Sequence, residues 1–301
     1  MRQWPALSQQ TLNTRMTSPP ETPEPALVAA AERIEAAAAL DLVHTLSPAI
    51  RERYRADGER IGESGVVVGL RRLDVPMFNR AFALGLGGGE IAEETLDRVQ
   101  ERYSASAMSF LVQVTPGADT DELRARLEGR GLRRADNWVK VRRGADPPPD
   151  LHTDLRLKQV GPEWARPFGE VVCAAFGLPL EHGVLTHGLL GAPGWRHYLA
   201  FDGDTPVAAG ALLVRGQSAW LGLGATLASH RGRGGQGAIM ARRIREALAL
   251  GCSDVFTETG EQTPERPNPS YRNMLRAGFR PLYLRRNYVY RSEHTAWRSS
   301  P

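Results

Sequence analysis

The spacing of apolar positions along the chain alternates between the periods of helices and strands. Residues 26–57 are rich in Ala, Leu, Arg and Glu, which are strong helix formers. In the second half, helical spacing predicts an amphipathic helix that ends near Leu250 and has an apolar face formed by Met240, Ala241, Ile244, Ala247 and Leu248. Elsewhere, short apolar or alternating runs end at Gly, Pro or Asp-Gly turns, as is typical of strands.

These patterns predict a similar succession of elements in the two halves. In the first half, strands are predicted at 66–70, 78–84, 110–114 and 138–141, with helices at 90–103 and 119–129. In the second half the predicted order is strand 154–160, helix 164–176, strands 198–201, 206–214 and 219–227, the amphipathic helix, strand 252–257, helix 268–277, and strands 280–284 and 287–291. The mixture indicates the α/β (α+β) class.

The length of 301 residues fits about two domains. Residues 1–25 are polar and rich in proline, which predicts a disordered lead. Residues 144–150 include three successive prolines and predict a stiff linker between domains at 26–143 and 151–291. Residues 292–301 are predicted to form a polar tail.

Arginine dominates the basic residues, since only Lys140 and Lys158 among the 38 are lysines. The 34 acidic residues leave a formal net charge of +4, which is modest for this length. A GC-rich genome would by itself produce such an arginine excess. Since no recognition motif for nucleic acid is present, no specific nucleic-acid partner is expected.

Other residue types exclude further classes. Cys173 and Cys252 are too few for a disulfide framework, and the seven histidines lack metal-ligand spacing, so no metal is expected. The apolar run 207–214 is far short of the roughly 20 residues that span a bilayer. With no secretory signal, a cytoplasmic protein without membrane association is expected.

A glycine-rich loop between a strand and the amphipathic helix carries the strongest chemical signal. It consists of Arg231, Gly232, Arg233, Gly234, Gly235, Gln236 and Gly237. Glycines let successive N–H groups converge, and the helix N-terminus adds partial positive charge, so the loop is suited to bind phosphate. Arg231 and Arg233 would add forked donors. The spacing fits neither the P-loop nor the dinucleotide motif, and a flexible loop without a ligand is the alternative.

Residues 154–291 resemble a GCN5-related N-acetyltransferase (GNAT) domain. The block HRGRGGQGAIMARR resembles the family's motif A, R/Q-x-x-G-x-G/A, and NPSYRNMLRAGF resembles motif B, which ends in Gly278-Phe279. The predicted order of elements also matches. The resemblance implies a mixed, mostly antiparallel central sheet flanked by helices, with acetyl-CoA as co-substrate and no metal.

The resemblance also assigns coenzyme contacts by position. The backbone of Gly224, Ala225 and Thr226 is expected to pair with the pantetheine arm like an added strand. The N–H groups of residues 232–237 are expected to hold the pyrophosphate. Asn268 lies close to the position where the family often has a coenzyme-contacting Asn.

Two positions depart from the family's pattern. Gln236 stands where Gly or Ala is usual, so its side chain must point away from the phosphates. Met274 stands where the family frequently has a general-acid Tyr. Tyr271, one turn earlier on the same predicted helix, is the candidate catalytic tyrosine, with ordinary packing as the alternative.

In the family the substrate amine attacks the thioester directly, which requires a base, an oxyanion donor and an acid for the thiolate. Glu258, at the end of a predicted strand, is the candidate base, and Glu261 is a weaker one; for both, a solvated surface carboxylate is the alternative. A backbone N–H near Ala225 or Thr226 is the expected oxyanion donor.

The first half carries a faint repeat of the second. Four glycines recur 147 residues later, in the pairs Gly85/Gly232, Gly87/Gly234, Gly88/Gly235 and Gly131/Gly278. Leu84 and Leu86 replace Arg231 and Arg233, and carboxylates at the following helix start would repel phosphate. Unless the glycines coincide by chance, the chain is a tandem of two GNAT-like domains, of which only the second binds acetyl-CoA.

These features together predict an acyltransferase of the N-acetyltransferase kind. The acceptor would be an amine on a small molecule or peptide, selected by the loop 177–194, in a monomer or homodimer. A non-catalytic acyl-CoA-binding regulatory protein is the alternative, because position 274 lacks the tyrosine.

Overall fold

A computed structural model describes residues 23–292 as seven α-helices and twelve strands. Of the predicted disordered lead, only residues 23–25 are among the described residues, and helix α1 begins at Pro25. The predicted polar tail lies outside the described residues except for residue 292.

The first half contains, in chain order, α1 (Pro25–His44), α2 (Pro48–Tyr54), β1 (Ala56–Ile61), β2 (Gly65–Leu70), β3 (Arg80–Leu84), α3 (Glu93–Ser104), β4 (Phe110–Val114), α4 (Asp121–Gly129), β5 (Arg133–Arg134) and β6 (Trp138–Arg143). The second half contains β7 (Arg156–Val160), α5 (Ala165–Phe176), a 3-10 segment (Leu180–Leu189), β8 (Trp195–Asp202), β9 (Thr205–Arg215), β10 (Ser218–Thr226), α6 (Gly235–Ala249), β11 (Asp254–Gly260), α7 (Pro269–Arg276) and β12 (Arg280–Tyr290).

Local signals divide the region 26–57, which composition alone marked as helical. α1 ends at His44, and the Ser47 hydroxyl then caps α2 by accepting from the Ile50 N–H. α2 ends where Arg55 takes a left-handed φ of 44°, and the chain continues into β1. The two strands expected at 280–284 and 287–291 are a single strand, β12.

All twelve strands of the described chain form one sheet in the order β1-β2-β3-β4-β12-β6-β11-β10-β9-β8-β7, with β5 paired to β12. The β3–β4 and β10–β11 pairs are parallel, and the other pairs are antiparallel. The predicted α+β class with a mixed, mostly antiparallel sheet is therefore confirmed.

The closing strands of the two halves are exchanged. β6, from the first half, lies between β11 and β12 of the second half. Residues 286–290 of β12 in turn pair with β4, and residues 288–289 pair with β5. Because each half is completed by a strand of the other, the sheet is continuous across the predicted boundary at 144–150.

Helix α1 packs against the cores of both halves. Its residues Val28 and Ala31 join a buried cluster with Phe256 of β11, whereas Val43 joins a cluster with Val66 of β2. Helix α6 covers the opposite face of the second half's sheet. No helix in the described part of the chain combines the length and apolarity needed to cross a membrane.

Candidate functional site

β10 and β11 form a parallel pair that opens into a wedge. Only residues 218–220 of β10 pair with residues 254–256 of β11. The Thr257 hydroxyl donates to the Leu221 carbonyl at 2.7 Å, beyond which the strands have no ladder. Residues 221–226 and 258–260 therefore form two edges of a cleft whose backbone groups can pair with an inserted chain.

The β10 edge of the wedge contains a bulge. Gly222 pairs with Ala211 and Ala225 with Ala209, so two residues of β10 oppose one residue of β9. Leu227 then donates its N–H to Val207 on β9 at 2.9 Å. Since successive residues of a strand direct their N–H groups to opposite sides, the Thr226 N–H faces the wedge.

The glycine loop follows β10 and continues directly into α6. Gly232 and Gly234 take left-handed φ angles of 84° and 77°, and a Cβ at Gly234 would clash with the His152 carbonyl. The first helical bond of α6 runs from the Ala238 N–H to the Gly234 carbonyl. Among the described residues, no acceptor bonds the N–H groups of residues 232–237, so six successive amides are free to bind an anion.

The two loop arginines have different environments. Arg231 is exposed and has no ion-pair partner within residues 23–292. The Arg233 guanidinium instead bridges Asp154 and Asp202, and hydrogen bonds to Asp202 and then Asp154 raise its pKa. Two carboxylates thus already engage the Arg233 side chain, and its contact with phosphate stays a prediction.

Gln236 points away from the free amides, as the motif departure requires. Its Nε2 donates to the Ala225 carbonyl at 3.0 Å and to the Thr226 hydroxyl at 3.3 Å. Its Oε1 accepts from Arg243 at 3.4 Å, and Arg243 is buried beneath β10. The Gln236 side chain is thus bound to β10 and Arg243 and leaves its own backbone N–H without a side-chain partner.

Asn268 and Tyr271 lie at the start of α7. The Asn268 side chain caps this helix by accepting from the Tyr271 N–H, and it donates to Thr259 and Gly260 at the end of β11. Its polar atoms are therefore committed to the protein, which argues against a direct coenzyme contact. Tyr271 is 4% exposed and lies in a buried cluster with Met274 and Phe279, and burial raises the pKa of its hydroxyl, which keeps it protonated at neutral pH.

Glu258 lies on β11 within a buried ionic network. Its Oε2 accepts from Lys140 at 2.9 Å and from Arg285 at 3.0 Å, whereas Oε1 has Arg80 at 3.7 Å. The side chain is 12% exposed, so it is not a solvated surface carboxylate. Burial, followed by the charge of Glu35, raises the pKa of Glu258.

Sequence reasoning missed the rest of this network. Glu35 binds Lys140, Arg80 and Arg285, and Glu32 of the same helix binds Arg285 at 2.6 Å. Burial would raise the pKa of Glu35, but these cations hold it well below its usual value. The network could have been suspected from two features of the sequence. Glu32 and Glu35 lie on an otherwise alanine-rich helix, and Lys140 is one of only two lysines in the chain.

The corresponding place in the first half is closed. β3 and β4 remain paired to Leu84 and Val114, and the Thr115 hydroxyl donates to the Leu84 carbonyl at 3.1 Å. Gly117 lies close to the Cα of Gly88 in the first-half glycine loop, and a pocket of about 190 Å³ lies beside that loop, with Glu90 and Glu122 in its lining. Residues 23–292 contain no cluster of three or more His, Cys, Asp or Glu side chains suited to a metal ion.

No protein-family model matches the chain, and no curated protein matches its sequence. Among solved structures, a GCN5-related N-acetyltransferase from Kribbella flavida is 17% identical with a TM-score of 0.62, covering 88% of this chain and 97% of its own. One from Sphaerobacter thermophilus is 16% identical with a TM-score of 0.56, covering 90% and 94%. A tandem GNAT protein from the clavulanic acid biosynthesis pathway is 16% identical with a TM-score of 0.54, covering 95% of both chains. The chain thus has the GNAT fold in a tandem arrangement.

Proposed function

We propose that the protein is an N-acyltransferase that transfers the acetyl group of acetyl-CoA directly to an amine. The observation that carries this proposal is the wedge between β10 and β11 with six free amides at one end. A pyrophosphate fits the amides of residues 232–237, and a pantetheine arm fits the unpaired edge of residues 224–226. Arg231, which has no ion-pair partner among the described residues, is the side chain available to a phosphate.

The chemistry follows from the groups around the wedge. Glu258 accepts the proton of the acceptor's ammonium through Oε1, while Lys140 and Arg285 anchor its Oε2. Attack then forms the N–C bond of the amide and breaks the C–S bond of the thioester. The Thr226 N–H stabilises the oxyanion, and Tyr271 donates a proton to the leaving thiolate. The attacking nitrogen then gives its second proton to the Tyr271 oxygen as the amide forms. The products are the acetylated amine and CoA.

A regulatory acyl-CoA-binding protein is the second candidate. The observation that favours it is that both carboxylate oxygens of Glu258 already face cations, since Oε2 accepts from Lys140 and Arg285 and Oε1 lies 3.7 Å from Arg80. Such a protein would use the same wedge and the same amides without turnover.

The test uses the full chain with acetyl-CoA and a library of small-molecule and peptide amines, following release of the CoA thiol. We expect acetyl-CoA binding and amine-dependent thiol release, both abolished in Gly234→Ala. Binding without thiol release for any amine would support the regulatory alternative. Absence of acetyl-CoA binding by the wild-type chain would contradict both.

A further inference from the structure

Two side chains of α6 hold the bulge of β10 at its two ends. At the first end, Arg243 Nη1 donates to the Ala211 carbonyl at 2.9 Å and to the Gly222 carbonyl at 3.1 Å. At the second end, Gln236 Nε2 contacts the carbonyls of Ala225 at 3.0 Å and Ala209 at 3.4 Å. The four carbonyls belong to the two cross-strand pairs on either side of the bulge, Gly222 with Ala211 and Ala225 with Ala209.

The bulge itself is an unusual backbone conformation that needs support. Leu223 takes a φ of 51°, which a branched side chain rarely adopts and which costs on the order of 1–3 kcal/mol. Leu223 and Gly224 together face a single residue of β9. A strand held in this way has one fixed register, whereas a loosely held strand could slip or straighten.

Arg243 occupies a site that the sheet is shaped to receive. The side chain is 2% exposed, and among the described residues it has no carboxylate partner. A Cβ at Gly210, which faces the bulge from β9, would lie 2.8 Å from the Arg243 Cζ, so glycine is what admits the guanidinium. Burial lowers the pKa of Arg243 to about 10, so it is charged at neutral pH.

Gln236 links this cation to the phosphate-binding loop. Its Oε1 accepts from Arg243 Nη2 at 3.4 Å, and its own backbone N–H is one of the six free amides. The side chain therefore ties the start of α6 to the edge of β10 that faces the wedge.

We propose that Gln236 and Arg243 are positioning residues that set the register of residues 223–226, and with it the alignment of a bound thioester with Thr226. This inference rests on the proposed function, since it concerns the β10 edge of the same wedge. The proposed role also explains why position 236 is a glutamine, where the motif usually has Gly or Ala.

The decisive variant is Gln236→Ala in the full chain, because it removes the bonds to Ala225 and Thr226 and leaves the backbone amides in place. We expect kcat to fall at least about tenfold, as for a misaligned oxyanion donor. The Kd for acetyl-CoA should change less than about threefold, because the pyrophosphate contacts remain. Amide hydrogen exchange of residues 223–226 should accelerate.

Arg243→Lys keeps the charge but cannot donate to both carbonyls in the same fork, so kcat should fall here too. Arg242→Ala, an exposed change on the same helix, is the matched control and should keep wild-type kcat. An active Gln236→Ala protein with wild-type kcat, or with unchanged exchange at residues 223–226, overturns the positioning role. If the wild-type chain binds no acetyl-CoA, the proposed function is overturned instead. That result does not depend on the comparison of amide hydrogen exchange between the wild-type and Gln236→Ala proteins.

Discussion

Lys140 and Glu258 face each other across strands that come from different halves of the chain. Their Cα atoms are register partners in the β6–β11 pair, and Lys140 Nζ lies 2.9 Å from Glu258 Oε2. The lysine reaches this position only because β6 is inserted into the second half's sheet. The first half therefore contributes a cation to the candidate site of the second half, although its own wedge is closed.

Replacing Lys140 with Met should destabilise the protein and alter its pH dependence. Loss of one partner from a buried ionic network typically costs about 3–5 kcal/mol, and the glutamates here would lose a compensating charge. Lys140 lowers the pKa of Glu258, so its removal raises that pKa further. If Glu258 is the base, the acid limb of kcat against pH moves to higher pH. Denaturant unfolding and a pH–rate profile measure the two effects.

Lys158→Met is the matched control, because Lys158 is the other lysine and is exposed on β7 beside Trp164. That change should cost less than about 1 kcal/mol and leave the pH profile unchanged. Equal unfolding midpoints for the Lys140 and Lys158 variants would contradict the importance of the buried network.

Arg231 and Arg233 should have different roles: Arg231 should contact the ligand, and Arg233 should stabilise the protein through its ion pairs. Arg231→Ala should weaken acetyl-CoA binding about fivefold, or roughly 1 kcal/mol, without a change in Tm. Arg233→Ala should lower Tm as well as affinity, because it releases Asp154 and Asp202 beside the loop. Calorimetric titration and thermal unfolding of both variants test this. A loss of affinity in Arg233→Ala at unchanged Tm would instead indicate a direct phosphate contact.

Much of this site could be predicted because its signals are local in sequence. The strand, glycine loop and helix are contiguous in sequence. Gly131 and Gly278, which are separated by the same 147 residues as the other glycine pairs, both take left-handed φ angles, of 82° and 88°. The repeat at Gly87 and Gly234 likewise preserves a positive φ. Three of the four glycine pairs thus have a positive φ at both positions, whereas Gly235, the partner of Gly88, lies in helix α6 and does not.

The partners of charged side chains could not be predicted, because they are distant in sequence. Arg233 is bound by Asp154 and Asp202, which approach only when β7 and β8 pair. Glu258 contacts Lys140 only because the strands are exchanged, and neither hydrophobic periodicity nor a sequence motif predicts that exchange. Residue type indicated a carboxylate at the end of β11, but only tertiary pairing decides whether that carboxylate is solvated.

We expect one molecule of acetyl-CoA per chain, bound by the second half. Gly234→Ala should abolish binding, since the new Cβ would clash with the His152 carbonyl. Gly87→Ala, at the equivalent position 147 residues earlier, also has a positive φ but meets open space, and it should leave binding intact. Calorimetric stoichiometry distinguishes the cases, and a value of two, or loss of binding in Gly87→Ala, would show that the first half also takes coenzyme.

His197 should make the protein less stable as the pH falls. Its ring lies between Phe168 and Trp195, with centroid separations of 4.9 and 5.7 Å, and its Nε2 has no hydrogen-bond partner among the described residues. Burial lowers the pKa of His197 to about 3 from an ordinary value of about 6.5. Between these values the unfolded chain binds one more proton than the folded chain, so acid favours unfolding.

The contribution of His197 can be isolated with His197→Phe, which keeps an aromatic ring between Phe168 and Trp195 and removes the titrating group. Between pH 7.5 and 5.5, the wild-type protein should lose about 1.4 kcal/mol more stability than the variant, because roughly one proton is taken up on unfolding at the lower pH. Urea unfolding at both pH values measures the difference. An equal loss in the two proteins would mean that His197 is protonated in the folded state, and hence that its ring reaches solvent or an acceptor.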